Sequence, residues 1–317
     1  MYGRENYLKA KETVSQRRAD AIALSEARSE KVRLMSKRIA ELDDELSATG
    51  ILIFKTALAG GDIDKIKNRN RALIKEREDE LVRLGFDKEY TDVKFYCEEC
   101  ADTGFIDTRM CTCMREIIIR ENINSSGMGG LIDSQSFDNF DLEVYKSDAK
   151  SYERMRQNLE AARDFAENFK TPSNKSLLLM GCTGLGKTHI STAIARVVIG
   201  KGYEVLYETS QNIFDSFEND KFRRGYSQTE PQSQKYLECD LLIVDDLGTE
   251  FSTQFTVSCL YNIINTRMNK GLPTILSTNL SSKDFNARYE DRIYSRMVGG
   301  SFRVLQFVGE DYRIFKK

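Results

Sequence analysis

A short apolar run followed by a glycine-rich loop constrains this chain more than any other stretch. Leu177–Met180 precedes the loop Gly-Cys-Thr-Gly-Leu-Gly-Lys-Thr at 181–188, which fits the pattern G-x-x-x-x-G-K-[ST]. Glycines at these places let the backbone adopt positive φ and approach a ligand closely. The freed amides and the start of the next helix then form a nest for phosphates. The pattern therefore predicts a strand, a phosphate-binding loop and a helix, in that order.

The loop also supplies the residue types that bind a magnesium nucleotide. Lys187 is predicted to reach the β- and γ-phosphates, and the Thr188 hydroxyl to ligate Mg²⁺. No Asn-Lys-x-Asp guanine-recognition motif follows, so ATP is the expected nucleotide. The predicted nucleotide-binding residues are Gly181, Cys182, Thr183, Gly184, Leu185, Gly186, Lys187, Thr188 and Asp245.

The bulk composition excludes several classes of protein. A chain of 317 residues suggests two or three folding units. A net charge of −2 argues against binding nucleic acid or a membrane through overall charge. No apolar run approaches the roughly 18 residues that cross a bilayer, and the N-terminus has no apolar signal region. A cytoplasmic protein without a membrane partner is therefore expected.

Residues 1–90 are predicted to form a helical arm. Proline and glycine are absent between Asn6 and Leu46, and apolar residues recur at helical spacing along Val32, Met35, Ile39, Leu42 and Leu46. Gly50 is expected to end this helix, and a second helix is predicted from about Ile63 to Leu84. The arm either buries its own seam as a hairpin or docks on another protein.

Residues 91–125 are predicted to bind zinc. Two close cysteine pairs supply four thiolates, which suit a tetrahedral Zn²⁺ site, at Cys97, Cys100, Cys111 and Cys113. A redox role would need a βαβ context that this stretch lacks, and free buried thiols are the remaining alternative. The scattered Cys182, Cys239 and Cys259 are instead expected in the core.

Residues 126–146 are assigned to a linker and 147–317 to a nucleotide-binding domain. The stretch 124–130 is rich in serine and glycine and predicts a flexible tether. Two aromatic residues that follow, Phe137 and Phe140, either pack on a nucleotide base or pack on the sheet. Beyond them, apolar runs alternate with helical patterns, which predicts a parallel sheet with helices on both faces. The five predicted strands are 177–180, 205–207, 241–244, 274–278 and 302–307.

The ends of these strands carry the predicted catalytic groups. Asp245 ends an apolar run and is placed to hold the Mg²⁺ water shell, while Asp246 either polarises the attacking water or acts only electrostatically. Asn279 is predicted to sense the γ-phosphate, with a turn-forming role as the alternative. Arg288, Arg292 and Arg296 share one helix face, which by default is a solvated basic stripe. Arg296 is the preferred arginine finger in trans, with Arg292 second, and Arg313 is a candidate in cis.

The motifs from Leu131 to Lys317 resemble the bacterial replicative helicase loaders of the DnaC/DnaI type, which are AAA+ ATPases. The resemblance is carried by the loop 181–188, by Leu241–Gly248, by Ser277–Asn279, by Asp291–Met297 and by the terminal Asp-Tyr-Arg. The sister IstB-type transposition helpers share most of these motifs, and the cysteine segment favours the loaders. An ATP-gated adaptor with little turnover is a third interpretation, because Asp246 stands where most AAA+ proteins carry Glu.

The resemblance also implies a fold and partners. The fold is an α/β AAA+ module with a five-stranded parallel sheet and no C-terminal helical lid. In this sheet the Walker B strand (241–244) and the sensor strand (274–278) would lie next to the P-loop strand (177–180). The resemblance implies that the arm grips a hexameric DnaB-type replicative helicase, that the module binds single-stranded DNA, and that neighbouring subunits complete each other's sites. The DNA-contacting residues would be Lys221, Phe222, Arg223 and Arg224, where cations follow the backbone and rings stack on bases. A solvated loop is the alternative there.

Overall fold

The computed structural model describes residues 4–171, 175–223 and 231–311. Contacts divide the chain into two units, one of residues 11–114 and one that combines residues 1–10 with 115–317. The domain boundaries predicted after residues 90, 125 and 146 stay a prediction, because contacts alone do not measure independent folding. Within the described ranges, no helix is both long enough and apolar enough to cross a membrane.

The unit of residues 11–114 is mainly helical. It contains most of α1 (Arg4–Met35), then α2 (Lys37–Leu58) and α3 (Asp64–Arg83). A two-stranded antiparallel hairpin follows, formed by β1 (Phe105–Ile106) and β2 (Arg109–Met110), and α4 (Thr112–Ser125) begins at its end.

The predicted first helix is interrupted at Ser36. The Ser36 backbone is extended (φ −136°), and its hydroxyl accepts a hydrogen bond from the Ile39 amide at 3.3 Å. This break separates α1 from α2, and the small core there joins Val32 and Ile39 to Leu81 of α3. Met35, which the seam pattern placed inside, is 53% exposed. The seam prediction is therefore wrong at Met35, because the capped break turns its side chain outward.

The prediction that a helix ends at Gly50 is wrong. α2 continues through it to Leu58 and packs along α3. One interior glycine costs only about 1 kcal/mol relative to alanine, which such packing offsets.

The other unit contains the predicted five-stranded parallel sheet. Its strands are β3 (Ser176–Met180), β4 (Val205–Thr209), β5 (Leu241–Leu247), β6 (Thr274–Thr278) and β7 (Phe302–Gln306). They lie in the order β4-β5-β6-β3-β7, and every pair is parallel.

Helices cover both faces of this sheet, as predicted. The helical elements are α5 (Leu131–Ser134), a 3₁₀ turn (Glu143–Tyr145), α6 (Ala149–Glu167), α7 (Lys187–Gly200), α8 (Ser210–Arg223), α9 (Gln234–Glu238), α10 (Gln254–Asn269), α11 (Ser282–Arg296) and a π-helical turn (Met297–Ser301). Leu177 and Leu179 of β3 point into one apolar layer with α6 and α7, and Leu178 and Met180 point into the other with α10 and α11.

The sheet order corrects one implication of the resemblance. The sensor strand β6 lies directly beside the P-loop strand β3, but the Walker B strand β5 does not. β6 separates them, so Asp245 shares no strand pairing with β3. Parallel strands present their carboxyl ends at one edge of the sheet, which still gathers all three ends together.

The serine- and glycine-rich stretch at 124–130 is not a free tether. Ser126 and Met128 are 1% and 2% exposed, and the Tyr207 amide of β4 donates to the Ser126 carbonyl at 2.7 Å. The stretch therefore covers the outer edge of β4. Composition predicted flexibility here, whereas the unpaired strand edge offers hydrogen bonds that order the chain.

Gly127 provides a test of this edge contact. Its φ is +82°, and a Cβ added to it would collide with the Tyr207 carbonyl. We expect Gly127→Ala to lower the free energy of unfolding by about 2–4 kcal/mol, since strain and overpacking combine. Denaturant unfolding measures this value. Gly130→Ala is the matched control, because Gly130 has negative φ and open space around it; equal stability of the two variants would contradict the contact.

Candidate nucleotide site and cysteine cluster

The predicted P-loop lies between β3 and α7 with the required backbone. Gly184 and Gly186 have φ of +80° and +79°, and Gly186 directly precedes the first residue of α7. A side chain at Gly184 would collide with the Asp311 carboxylate. Both glycines are thus required by conformation, and the loop presents its amides beside the start of α7.

The ammonium group of Lys187 lies at the centre of this loop. Its side chain is only 6% exposed. Nζ donates to the carbonyl oxygens of Gly181 and Cys182 at 2.6 and 2.7 Å, and to Oδ1 of Asn279 at 2.7 Å. The structure therefore brings the predicted lysine and the predicted sensor residue together across β3 and β6.

Asp245 accepts hydrogen bonds from hydroxyls of three different elements. Thr188 Oγ1 of α7 donates to Oδ2 at 3.1 Å, Tyr207 of β4 donates to the same oxygen, and Ser277 of β6 donates to Oδ1. Burial, together with the adjacent carboxylate, raises the pKa of the Tyr207 phenol, which remains a proton donor. These donors fix the orientation of the Asp245 carboxylate.

The Thr188 and Asp245 oxygens fit a single Mg²⁺ ion. Two adjacent ligands of an octahedral Mg²⁺ at about 2.1 Å lie roughly 3.0 Å apart, and the observed Oγ1–Oδ2 distance is 3.1 Å. Both are hard oxygen donors, which Mg²⁺ prefers. The predicted pair can therefore bind the ion together.

Asp246 has a different environment from Asp245. Its side chain is exposed at the wall of the cavity, and its φ is +52°. This left-handed backbone near the end of β5 changes the direction of the Asp246 side chain. The Asp245 carboxylate is therefore buried, while that of Asp246 is exposed.

A cavity of about 420 Å³ extends from the loop to the segment before α6. Phe140 lines it and contacts the ring of His189 edge-on at 5.2 Å, and the Tyr145 hydroxyl donates to the Leu185 carbonyl at 3.0 Å. Of the two aromatics left open by the sequence, Phe140 faces the cavity and Phe137 is buried in the core. The ring of Phe140 thus lies beside Gly186 of the loop and offers an aromatic wall to the cavity.

The basic helix α11 is not a uniform solvated stripe. Arg288 donates to the backbone carbonyl of buried Glu250, and the guanidinium of Arg296 lies over the ring of Tyr261 at 4.7 Å. The Arg292 side chain and all of Arg313 lie outside the described residues. The solvated interpretation is therefore wrong for Arg288.

Part of the predicted DNA-binding patch is described. Phe222 is 76% exposed, and the Lys221 ammonium lies over the Phe255 ring at 5.2 Å. Arg223 ends α8, but its side chain and all of Arg224 lie outside the described residues.

The four predicted zinc ligands meet in the unit of residues 11–114. Their sulfur atoms all lie within 4.8 Å of one another. Cys97 Sγ is 3.7 Å from Cys111 Sγ, and Cys100 Sγ is 3.5 Å from Cys113 Sγ. Zn–S bonds of about 2.3 Å place tetrahedral sulfurs roughly 3.8 Å apart, so the cluster fits a zinc ion.

Hydrogen bonds around the cluster hold the thiols in place. The buried Asp102 carboxylate accepts from the Tyr96 and Cys97 amides at 2.8 and 2.9 Å. Burial opposes ionisation of Cys100, but hydrogen bonds from the Gly104 backbone and from neighbouring thiols outweigh it and lower its pKa to about 7. Burial and the neighbouring thiols raise the pKa of Cys113, so the thiols of the cluster ionise unequally and metal binding would release the remaining protons.

Of the three remaining cysteines, all of which were predicted to lie in the core, two are buried and one is exposed. Cys239 and Cys259 are 2% and 7% exposed, as expected for core side chains. Cys182 is exposed in the P-loop, so its core assignment was wrong, because the loop turns away from the sheet there.

Sequence patterns missed two groups at the site, Tyr207 and Ser277. Each contacts Asp245 from a distant part of the chain, and only Ser277 carried a local signal, as a polar residue two positions before Asn279.

Comparisons with known proteins match this part of the chain. Residues 119–317 match the family described as IstB-like ATP binding protein. The chain is 25% identical over 199 residues to the replicative helicase loader DnaC of Escherichia coli K12, covering 63% of this chain and 77% of the relative. It is 22% identical over 236 residues to the phage-like element PBSX protein XkdC of Bacillus subtilis 168, covering 69% and 81%. A crystal structure of the DnaC helicase loader superimposes with a TM-score of 0.44 at 24% identity, covering 54% of this chain and 98% of that one.

The hydroxyl of Tyr207 provides a test of the metal site. Removing a group that orients a metal ligand typically costs 10–100-fold in metal affinity, so we expect Tyr207→Phe to weaken Mg²⁺ binding about tenfold. Titrating Mg²⁺ against a fluorescent ATP analogue measures this. Tyr236→Phe is the control, since the Tyr236 hydroxyl is buried beside Ser216 instead. Equal metal affinity of the two variants would count against Asp245 as a metal ligand.

Proposed function

This chain belongs to the IstB-like ATP-binding protein family, and from that membership we propose that it is an ATPase that loads a hexameric replicative DNA helicase onto single-stranded DNA. The convergence of Lys187, Thr188, Asp245 and Asn279 at one edge of the sheet carries this proposal. The curated relatives named as replicative helicase loaders support it.

Each residue of the site has a role in the proposed reaction. The loop amides and Lys187 bind the triphosphate, and Asn279 holds the γ-phosphate. Mg²⁺ held by Thr188 and Asp245 would neutralise charge on the phosphate oxygens. Asp246 polarises the attacking water. Because its side chain is one methylene shorter than Glu, we expect slow turnover.

Assembly completes the proposed site. Arg296 of one subunit reaches the γ-phosphate of its neighbour, with Arg292 as the alternative finger and Arg313 as a candidate in cis. An arginine supplied in trans typically raises turnover by orders of magnitude. This geometry would require Arg296 to leave the Tyr261 ring on which it lies.

The helicase partner is assigned to the helical arm. The last turns of α2 expose four large apolar side chains, at 57%, 49%, 66% and 75%: Ile51, Leu52, Phe54 and Leu58. Contiguous exposed apolar residues of this kind mark protein interaction sites. Single-stranded DNA would bind at Lys221, Phe222, Arg223 and Arg224. Because a helicase loader acts where the bacterial chromosome is replicated, we assign the protein to the cytoplasm.

Zinc is proposed at Cys97, Cys100, Cys111 and Cys113. Residues 91–125 are too few to bury an apolar core of their own, so metal binding would contribute much of the folding energy of that segment.

Helicase binding tests the central proposal. We expect the protein to co-sediment with the DnaB-type helicase hexamer that is encoded in the same genome. We expect Phe54→Ser combined with Leu58→Ser to weaken binding at least tenfold, since both side chains would be buried on docking. Lys55→Ser, an exposed change between them, is the control. Absence of wild-type binding both with and without ATP would refute the loader.

Two alternatives give different results in the same set of assays. An IstB-type transposition helper would form filaments on double-stranded DNA and bind a transposase. An ATP-gated adaptor would keep partner binding and biological activity in Asp246→Asn, while Lys187→Ala would abolish nucleotide binding.

Zinc content tests the cysteine cluster. We expect about one zinc per chain by elemental analysis, released stoichiometrically when the thiols are modified. Cys97→Ser should lose the metal, whereas Cys259→Ser, remote from the cluster, should retain it. A metal-free wild-type protein with unchanged far-ultraviolet circular dichroism and unchanged unfolding temperature would rule the zinc site out.

A further inference from the structure

A buried carboxylate with no role in the site as described lies just beyond the Walker B strand. The Glu250 side chain is 1% exposed. Its Oε2 accepts from the Gly248 amide and from the Ser210 hydroxyl, each at 2.8 Å. Its Oε1 accepts from the Tyr289 hydroxyl and lies 3.5 Å from Arg288 Nε.

These bonds fix the turn that carries Asp246. The Asp246 carbonyl accepts from the Thr249 amide and from the Ser210 hydroxyl, both at 3.2 Å. Ser210 thus contacts both Asp246 and Glu250, and Gly248 between them has φ of +107°. The left-handed backbone at Asp246 is unfavourable for a residue other than glycine, so the surrounding hydrogen bonds must hold it.

The same carboxylate connects this turn to α11. Tyr289 and Arg288 are neighbours in α11, and Arg288 also donates to the Glu250 carbonyl. The helix that carries Arg296 is therefore attached, through one side chain, to the turn that carries Asp246.

Glu250 remains charged in this setting. Burial alone would raise the pKa of its carboxyl, but hydrogen bonds from Tyr289, Gly248 and Ser210 outweigh burial and lower it. A buried charge that accepts several hydrogen bonds resists displacement, because an unpaired charge in the interior costs several kcal/mol.

We propose that Glu250 is a positioning residue: it holds the Asp246 carboxylate toward the γ-phosphate and couples that placement to α11. The inference rests on the proposed hydrolysis at Asp246. It predicts that ATP binding and ATP turnover separate when Glu250 is altered, since no contact of Glu250 involves the P-loop residues 181–188 in the described structure.

The test compares turnover with nucleotide affinity in the full-length protein. We expect Glu250→Gln to lower kcat about 10–100-fold. Both oxygens of Glu250 accept hydrogen bonds, so the NH₂ group of Gln would replace one acceptor with a donor that faces another donor. The ATP Kd should change less than about threefold. Tyr289→Phe, which removes one of the contacts between Glu250 and α11 and leaves that of Arg288, should lower kcat to a smaller degree. The double variant should fall short of the summed effects, since both changes act on one network.

A matched control separates positioning from general loss of stability. Ser176→Ala removes a buried hydroxyl that accepts from the Thr274 amide at the opposite end of the sheet. It should lower the unfolding temperature without lowering kcat. Glu250→Asp retains the charge and should recover part of the turnover that Glu250→Gln loses.

The outcomes distinguish this inference from the proposed function. If Asp246→Asn abolishes turnover while Glu250→Gln leaves kcat unchanged, positioning by Glu250 is refuted and the ATPase stands. If Glu250→Gln weakens ATP affinity and kcat in parallel, its role is structural and the inference also fails. If the wild-type protein does not hydrolyse ATP even with DNA and helicase present, both are refuted.

Discussion

The burial of the Lys187 ammonium is the constraint on which the rest of the nucleotide site depends. A charge that is only 6% exposed is costly unless oxygens replace its water shell. Two of the oxygens that accept from it are carbonyls of its own loop, which requires the loop to curl back over the side chain. Another belongs to Asn279, which requires the end of β6 to lie beside β3. The same ammonium is placed to bind a phosphate oxygen of ATP.

The sheet order extends this constraint to the acidic side of the site. Since β6 separates β3 from β5, Asp245 has no strand contact with the P-loop strand. Hydroxyls make the connection: Ser277 reaches Asp245 from β6, Thr188 from the start of α7, and Tyr207 from the outer strand β4. The groups proposed to bind the cation and the phosphates are therefore held at a fixed separation by the strands, and shifts at the edge of the sheet would reach Asp245 through Tyr207.

The parts of the fold and site that were predictable are those encoded over short distances. Loop 181–188, the strand runs and Asp245 follow from spacing within about ten residues, because a phosphate nest and a buried strand need those local patterns. The ordering of Ser126 at a strand edge and the contacts of Glu250 with Ser210 and Tyr289 depend on partners 39 to 81 residues away. Helix α2 passes through Gly50 for the same reason, since packing on α3 outweighs a local preference.

The two units use different physical means to stay folded, which bears on the role assigned to the cysteines. The sheet unit buries apolar layers on both of its faces. Around the α1–α2 break, the unit of residues 11–114 buries Val32, Ile39 and Leu81 together, and ion pairs such as Arg77 with Asp43 at 2.6 Å join α2 to α3. Such partly exposed ion pairs contribute about 1 kcal/mol or less each. A structural zinc contributes far more, and Asp102 accepts a hydrogen bond from the Cys97 amide beside the cluster. The proposed metal would therefore be a larger contribution to the order of residues 91–125 than any one of these ion pairs.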